Sequence, residues 1–349
     1  MNHTDILTKI PSVLLPWYAE HKRDLPWRKD RDPFHIWLSE IMLQQTRVEA
    51  VKGYYDRFLQ KIPNIKALAT ADDEQLHKLW EGLGYYSRVR NLKKAAVVIM
   101  EQYGGVFPAT YDQVLALPGI GAYTAGAICS IAYNHKTPAV DGNVLRVISR
   151  ITNDPAPIDQ EKTKNKVREA LEKIYPDNAG DFTQALMELG ATVCGPNGAP
   201  ACDMCPCKHF CVGKKEESAE KLPVKSPKKL RRKEEMTVLI LRCGDLYAVE
   251  KRNDKGLLAG LWQFPNFPGK AKLEQIIAAV EQMGLNPKDI NRQVEKKHVF
   301  THVEWEMNGV YMEVGNRNKA FCWLTADEIN RNTALPTAFR QFWEEIDYV

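Results

Sequence analysis

No stretch of this 349-residue chain approaches the ~20 consecutive apolar residues that a membrane-spanning helix needs. The opening Met1-Asn2-His3-Thr4-Asp5 lacks the basic and apolar regions of a secretory signal, so the expectation is a cytoplasmic protein with no membrane partner. Charge of one sign is scarce as well. A net +4 is weak evidence for an anionic partner, and the distribution of charge matters more than the total. There is no internal repeat, and no strand pattern of any strength appears before about residue 191. A regular disulfide framework is also missing. Cys129, Cys243 and Cys322 are isolated, while Cys194, Cys202, Cys205, Cys207 and Cys211 crowd together, which in a reducing compartment reads as metal binding. Hydrophobic content of 44% and charge of 26% are ordinary for a globular protein, and the length favours two domains.

What is present divides the chain. From the start to about residue 191 the periodicity is helical. Asp32-Pro33 starts one helix, with Ile36, Trp37, Ile41 and Leu43 recurring along it, and further helices are predicted near 72–80, 86–102, 110–117, 121–133, 143–151, 160–174 and 178–191. Pro16 should kink or divide an early helix. Residues 214–235, rich in Lys and Arg with Pro223 and Pro227, read as a basic, solvated linker. Beyond it, 237–242 and 246–251 are predicted strands, followed by a helix at 272–283, a strand pair at 294–314, a strand at 320–324 and a final helix from 336. Together these make an α+β domain. The predicted division is therefore 1–213, 214–235 and 236–349.

The most informative words are Leu117-Pro118-Gly119-Ile120-Gly121 and Val140-Asp141-Gly142-Asn143. A Pro-Gly-x-Gly turn between apolar runs permits close backbone approach and presents helix-initial N–H groups outward. Pro118, Gly119 and Gly121 are thus candidates to grip a DNA phosphate without reading sequence. Asp141 stands at the head of the next helical pattern, where it is a natural N-cap held ionised by helix N–H groups. Glu40, between apolar neighbours on one helix, reads in isolation most simply as a solvated or ion-paired residue; desolvated there, its carboxyl would have a raised pKa and could carry a proton near neutral pH. Two carboxylates with divided roles suit cleavage of a glycosidic bond through an oxocarbenium-like state. The four thiols of Cys194-x7-Cys202-x2-Cys205-x5-Cys211 could hold zinc or an iron–sulfur cluster, with Cys207 a fifth candidate.

These words together resemble the helix-hairpin-helix DNA glycosylases. Leu25-Pro26-Trp27-Arg28 and Met42-Leu43-Gln44-Gln45-Thr46-Arg47 resemble the MutY-type adenine glycosylases in particular. The fold this resemblance implies is an all-α helix-hairpin-helix glycosylase domain with an iron–sulfur cluster loop, plus an α+β Nudix-like C-terminal domain. It also implies base excision repair by a monofunctional glycosylase, acting as a monomer on double-stranded DNA containing an 8-oxoguanine:adenine mispair, nucleoid-associated when bound. Glu40 would protonate adenine N7, Asp141 would stabilise the sugar cation, Tyr123 would assist Asp141, and Asn143 would lie near the reacting sugar. Tyr123 stands where endonuclease III-type lyases carry a nucleophilic lysine. An adenine must be flipped out of the duplex. By resemblance Gln45 and Tyr85 enter the stack, Trp27 and Arg28 line the base pocket and Gln184 meets the adenine edge. Cys194, Cys202, Cys205 and Cys211 would hold a [4Fe–4S] cluster, although the first gap is one residue longer than is usual in the family. Phe300-Thr301-His302 resembles a loop that reads 8-oxoguanine, with Thr in place of Ser. The acidic helix of Nudix hydrolases is missing from Leu273–Glu281, so hydrolysis by that domain is not expected.

Overall fold

A computed structural model describes residues 3–227 and 230–346, so the ends of the predicted domains at 1–2 and 347–349, and residues 228–229 of the predicted linker, lie outside the described residues. The chain forms two units, Met1–Thr70 with Arg90–Pro227, and Ala71–Val89 with Lys228–Val349. Residues 71–89, which fall inside the predicted helical domain, therefore group with the C-terminal fold.

The elements of the first stretch are α1 (His3–Leu7), α2 (Ile10–His21), α3 (Pro33–Leu43), α4 (Val48–Lys61), α5 (Ile65–Thr70), α6 (Asp73–Leu79), α7 (Ser87–Gln102), α8 (Tyr111–Leu115), α9 (Ala122–Tyr133), α10 (Gly142–Thr152), α11 (Glu161–Glu172), α12 (Ala179–Thr192) and α13 (Val212–Lys215). Of these, α6 and the start of α7 belong to the second unit. Asp32 caps α3 by accepting the Phe34 amide at 2.8 Å, with Pro33 behind it, as the sequence reading anticipates. Pro16 does not divide α2, which continues to His21. The lost amide bond is offset by burial of Leu14, Trp17 and Tyr18, and the break falls instead between α1 and α2. One core joins α2, α10 and α12 through Leu14, Trp17, Val144, Val147, Phe182 and Leu186.

The predicted linker is only partly a tether. Ala219 and Leu222 are buried, the Ile158 amide donates to the Val224 carbonyl at 3.0 Å, and the Ser226 amide donates to Asp159 at 2.9 Å. Its few apolar side chains find a core that average composition hides.

In the second unit β1 (Arg232–Cys243), β2 (Leu246–Lys251), β3 (Trp262–Gln263), β4 (Asn266–Pro268), α14 (Leu273–Gln282), β5 (Pro287–Val299), β6 (Val303–Val314), β7 (Cys322–Thr325), α15 (Ala326–Asn332) and α16 (Thr337–Trp343) follow in order. The sheet runs β3-β2-β1-β6-β5, with β4 on β1 and β7 on β2; β1 and β6 are parallel and the other pairs antiparallel. Alternate residues of β1 face opposite cores. Val238 and Ile240 pack towards Phe339 and Phe342 of α16, and Leu239 and Leu241 towards Ile276 and Val280 of α14. A strand covered on both sides is why Val238–Leu241 is continuously apolar. β1 and β5 both begin earlier than predicted, because their first residues are polar and half-exposed and carry no hydrophobic signal.

Gly126 of α9 provides a test of this packing, since a Cβ there would stand 2.3 Å from the Pro138 carbonyl oxygen. Gly→Ala inside a helix ordinarily gains up to ~1 kcal/mol. Gly126→Ala is expected instead to lose about 1–3 kcal/mol through overpacking, read from the urea denaturation midpoint. An unchanged or higher midpoint would mean that the 135–139 loop moves aside freely.

Candidate active site

A cavity of ≈ 520 Å³ in the first unit gathers Trp27, Arg28, Glu40, Gln45, Tyr123, Asp141, Asn143 and Gln184. These residues come from the turn before α3, from α3 and its C-terminal end, and from the starts of α9, α10 and α12. They were nominated separately from the sequence, and tertiary packing brings them to one place. Pro118, Gly119, Tyr85 and the 300–302 turn do not line this cavity, and Gly121 lines a second one, ≈ 830 Å³, which shares Tyr123 and Asp141 with the first.

Glu40 lies on the buried face of α3 and is 6% exposed. Burial pushes its pKa up to about 7; the Tyr123 hydrogen bond opposes this, the Asp141 charge adds to it, and Arg28 opposes it in turn. Tyr123, on the first turn of α9, donates its hydroxyl to Glu40. Burial first, then the charges of Glu40 and Asp141, hold that hydroxyl well above its usual pKa, so it stays a donor. The resemblance assigns Tyr123 to Asp141; the bond it makes is with Glu40.

Asp141 is the N-cap of α10. It accepts the Val144 amide at 2.7 Å and Asn143 Nδ2 at 2.7 Å. Burial nevertheless raises its pKa from its ordinary value, against the pull of these bonds and of Arg146. The cap thus restrains a shift that it does not reverse. The two acids differ in kind: Glu40 has a hydroxyl partner in an apolar wall, whereas Asp141 faces amide donors at a helix start.

Three side chains that the sequence reading passed over support the site: Arg23 and Glu188 line the cavity, and Arg146 lies behind Asn143. Glu188, fully buried on α12, accepts Arg23 Nε at 2.7 Å and Arg28 Nη2 at 2.8 Å. Burial opposes its ionisation, but the two guanidinium groups hold its pKa below the usual value. The available signal was helical spacing, since Gln184, Met187, Glu188 and Ala191 share one face of α12 and all line the cavity. Arg146, one turn into α10, donates to Asn143 Oδ1 at 2.8 Å and to the Gly190 and Cys194 carbonyls at 2.7 and 2.8 Å.

The hairpin between α8 and α9 is built as anticipated. Gly119 has φ +76°, and a Cβ there would fall 2.5 Å from Asn91 Cβ. A Cβ on Gly121, the exposed N-cap of α9, would meet nothing within 4 Å, so the space beside this helix start is open. Gln45 and Tyr85 both hold left-handed backbone, φ 59° and 46°, unusual for residues with side chains and a feature that clusters at functional sites.

Cys194, Cys202, Cys205 and Cys211 line a single cavity with Arg150, Lys208 and Lys214, while Cys207 is fully buried in the helical core. Cys207 nonetheless hydrogen-bonds the Cys205 thiol, so it stays a fifth candidate beside the other four. Arg150 Nη1 lies 3.3 Å from Cys194 Sγ, a charge suited to a thiolate. Among the described residues no three His, Cys, Asp or Glu side chains close around a single-ion point. In the second unit Phe300-Thr301-His302 forms the turn between β5 and β6. The Phe300 ring rests against His298 and Trp305, Thr301 Oγ1 lies 3.0 Å from the Tyr85 hydroxyl, and His302 is exposed. Glu274 and Glu281 on α14 are exposed and scattered, so the acid set of a Nudix hydrolase is missing from this helix, as anticipated.

A pocket with paired acids beside a helix-hairpin-helix, joined in sequence to a mixed α+β sheet, defines a base excision glycosylase with a Nudix-type domain. Residues 38–177 match the HhH-GPD superfamily of base excision DNA repair proteins, and residues 236–345 match the NUDIX domain. The chain belongs to the adenine DNA glycosylase family. It is 34% identical to the adenine DNA glycosylase of Rattus norvegicus over 94% of this chain and 76% of that one. It is 33% identical to that of Buchnera aphidicola subsp. Schizaphis graminum over 83% and 82%. A thermostable thymine-DNA glycosylase structure aligns with a TM-score of 0.55 at 29% identity, covering 61% of this chain and 97% of that one.

The raised pKa of Glu40 fixes a pH signature. A folded pKa of about 7, above the unfolded value of 4.5, means that the contribution to stability is full below pH 4.5 and is lost as pH rises through 7. Glu40→Gln should therefore unfold at higher denaturant than wild type at pH 8, by on the order of 3 kcal/mol, and the gap should shrink towards pH 4.5. A pH-independent gap would place Glu40 in a solvated setting.

Proposed function

We propose that the protein is a monofunctional glycosylase that removes adenine paired with 8-oxoguanine, and also with guanine, from double-stranded DNA. The observation that carries the reading is the pairing of Glu40, poised near pH 7, with the capped Asp141 in one cavity. Glu40, in its protonated form, donates to N7 of the flipped adenine. The C1′–N9 bond then breaks with its electrons going to the base. Asp141 stabilises the oxocarbenium ion, and water adds at C1′ and gives up a proton. Tyr123 keeps the Glu40 carboxyl aimed into the cavity, and Arg146 holds Asn143 beside Asp141. No lysine lines this cavity among the described residues, and Tyr123 stands at the hairpin position where a lyase nucleophile would be. Both support base release without strand cleavage.

Trp27, Arg28 and Gln184 are assigned to the adenine, Gln45 and Tyr85 to the opened stack, and Phe300, Thr301 and His302 to the opposite base. Pro118, Gly119 and Gly121 take the phosphate backbone. A monomer that works on DNA at the nucleoid in the cytoplasm is what the family resemblance implies. Cys194, Cys202, Cys205 and Cys211 are assigned to a [4Fe–4S] cluster, as the family resemblance implies; all four line one cavity with Arg150, Lys208 and Lys214. Such a cluster would brace the loop for DNA docking.

Two experiments test this. Single-turnover release from an adenine:8-oxoguanine duplex should yield free adenine, with strand breaks only after alkali. The rate should fall as pH rises above about 7, and Glu40→Gln and Asp141→Asn should abolish release while leaving duplex binding intact. Breaks without alkali would instead support a lyase; tight binding with no release would support a non-catalytic DNA-binding module. Iron and acid-labile sulfide analysis should show loss of both in Cys211→Ser and retention in Cys207→Ser. Zinc in the wild-type protein would overturn the cluster assignment.

A further inference from the structure

Residues 71–89 carry Tyr85 and belong to the same unit as the sheet that carries Thr301. Two acids anchor this segment to the C-terminal fold. Glu74, on the first turn of α6, accepts Trp262 Nε1 at 2.8 Å and pairs with Lys251. Glu81 accepts more. Its Oε1 takes the Leu335 amide at 3.0 Å together with Arg340 Nε at 3.1 Å and Nη2 at 2.5 Å, and its Oε2 takes Lys78 Nζ at 2.7 Å. Lys78 also donates to the Thr333 carbonyl at 3.2 Å. The Glu81 side chain is 15% exposed, so its charge is matched largely by protein donors rather than by water.

The turn beyond Glu81 is held in a form that the chain would not adopt unaided. Gly82, Gly84 and Tyr85 all have positive φ, at 93°, 70° and 46°. Trp80 Nε1 donates to the Gly84 carbonyl at 3.1 Å, and Arg88 Nη2 to those of Leu83 and Gly84 at 2.8 and 3.0 Å. The Arg88 guanidinium lies over the Trp80 and Tyr85 rings at 5.3 and 5.7 Å. The turn is therefore internally stiff. A stiff turn fixed at one end by Glu81 can deliver the Tyr85 hydroxyl to Thr301 at 3.0 Å.

We propose that Glu81 is a positioning residue for recognition of the base opposite adenine. By clamping the turn to Arg340 and the Leu335 amide, it seats Tyr85 on Thr301, so that the aromatic ring and the hydroxyl pair act as one reader. This rests on the assignment of Tyr85 to the opened stack and of the 300–302 turn to the opposite base. Glu81 touches neither substrate nor reacting atoms. Its removal therefore acts on discrimination, not on bond cleavage.

The test compares Glu81→Gln, Thr301→Val and the double variant in single-turnover adenine release from duplexes bearing 8-oxoguanine or guanine opposite the adenine. Amide hydrogen exchange is followed in parallel. Glu81→Gln should lower the 8-oxoguanine-to-guanine rate ratio about fivefold or more by slowing the 8-oxoguanine duplex, with the guanine duplex unchanged. The double variant should lose no more than Thr301→Val alone, because both break one unit. Exchange should quicken at 82–88 and stay slow in β1 and β6. Arg340→Gln should reproduce the effect from the other side of the pair. An unchanged ratio, an equal slowing of both duplexes, or losses that multiply in the double variant would each overturn the inference while leaving the glycosylase reading standing. Failure of the wild-type protein to release adenine from either duplex would overturn both.

Discussion

The capping bond from the Val144 amide to Asp141, 2.7 Å at the start of α10, ties the chemistry of the helical unit to its architecture. The same carboxylate takes Asn143 Nδ2, Asn143 Oδ1 takes Arg146, and Arg146 continues to the carbonyls of Gly190 on α12 and Cys194 at the thiol loop. One turn on, Arg150 meets Cys194 Sγ, the Gly195 carbonyl and the Leu222 carbonyl. A single helix thus sets the acid, one wall of the cavity and the start of the cysteine loop. The approach of α12 is close enough that a Cβ on Gly190 would lie 2.6 Å from Asn143 Cβ. An N-cap contributes about 0.5–2 kcal/mol; here it also fixes where the Asp141 carboxyl stands in the cavity wall.

The cavity keeps two carboxyls in different states by surrounding them differently. Glu40 loses water without gaining amide donors, so its neutral form is favoured and a proton is available near pH 7. Asp141 is buried too, yet backbone and side-chain donors oppose the shift, so of the two it is the one better prepared to face positive charge. Arg23, Arg28 and Glu188 form a separate ion group in which two guanidinium groups serve one fully buried carboxylate. That arrangement holds Arg28 at the cavity edge without asking it to neutralise Glu40.

The C-terminal unit keeps the layered sheet of a NUDIX domain without an acid-bearing helix on α14. Its distinctive feature is the segment it shares with the earlier part of the chain. Glu74, Glu81 and Tyr85 all reach partners on the C-terminal fold, so the 300–302 turn between β5 and β6 and the Tyr85 turn belong to one packed body. Carboxylates with several donors and little exposure hold geometry better than isolated surface pairs, because they leave fewer competing arrangements.

Much was legible in the linear sequence because it depends on neighbours in the chain. The Asp32 and Asp141 caps, the helical periods of α7 to α12, the hairpin glycines and the spacing of the cysteines are local matters, settled within a few residues of backbone geometry. Family words carried the candidate acids further than chemistry alone could, since an isolated Glu40 reads most simply as a surface residue. Tertiary structure alone decided the rest. It gave Tyr123 to Glu40, drew Glu188 under two arginines, buried Leu222 in a segment that composition marks as a tether, and assigned residues 71–89 to the C-terminal unit. Each of these turns on desolvation or on a partner many residues away. Both are properties of the folded volume, and no window of sequence contains them.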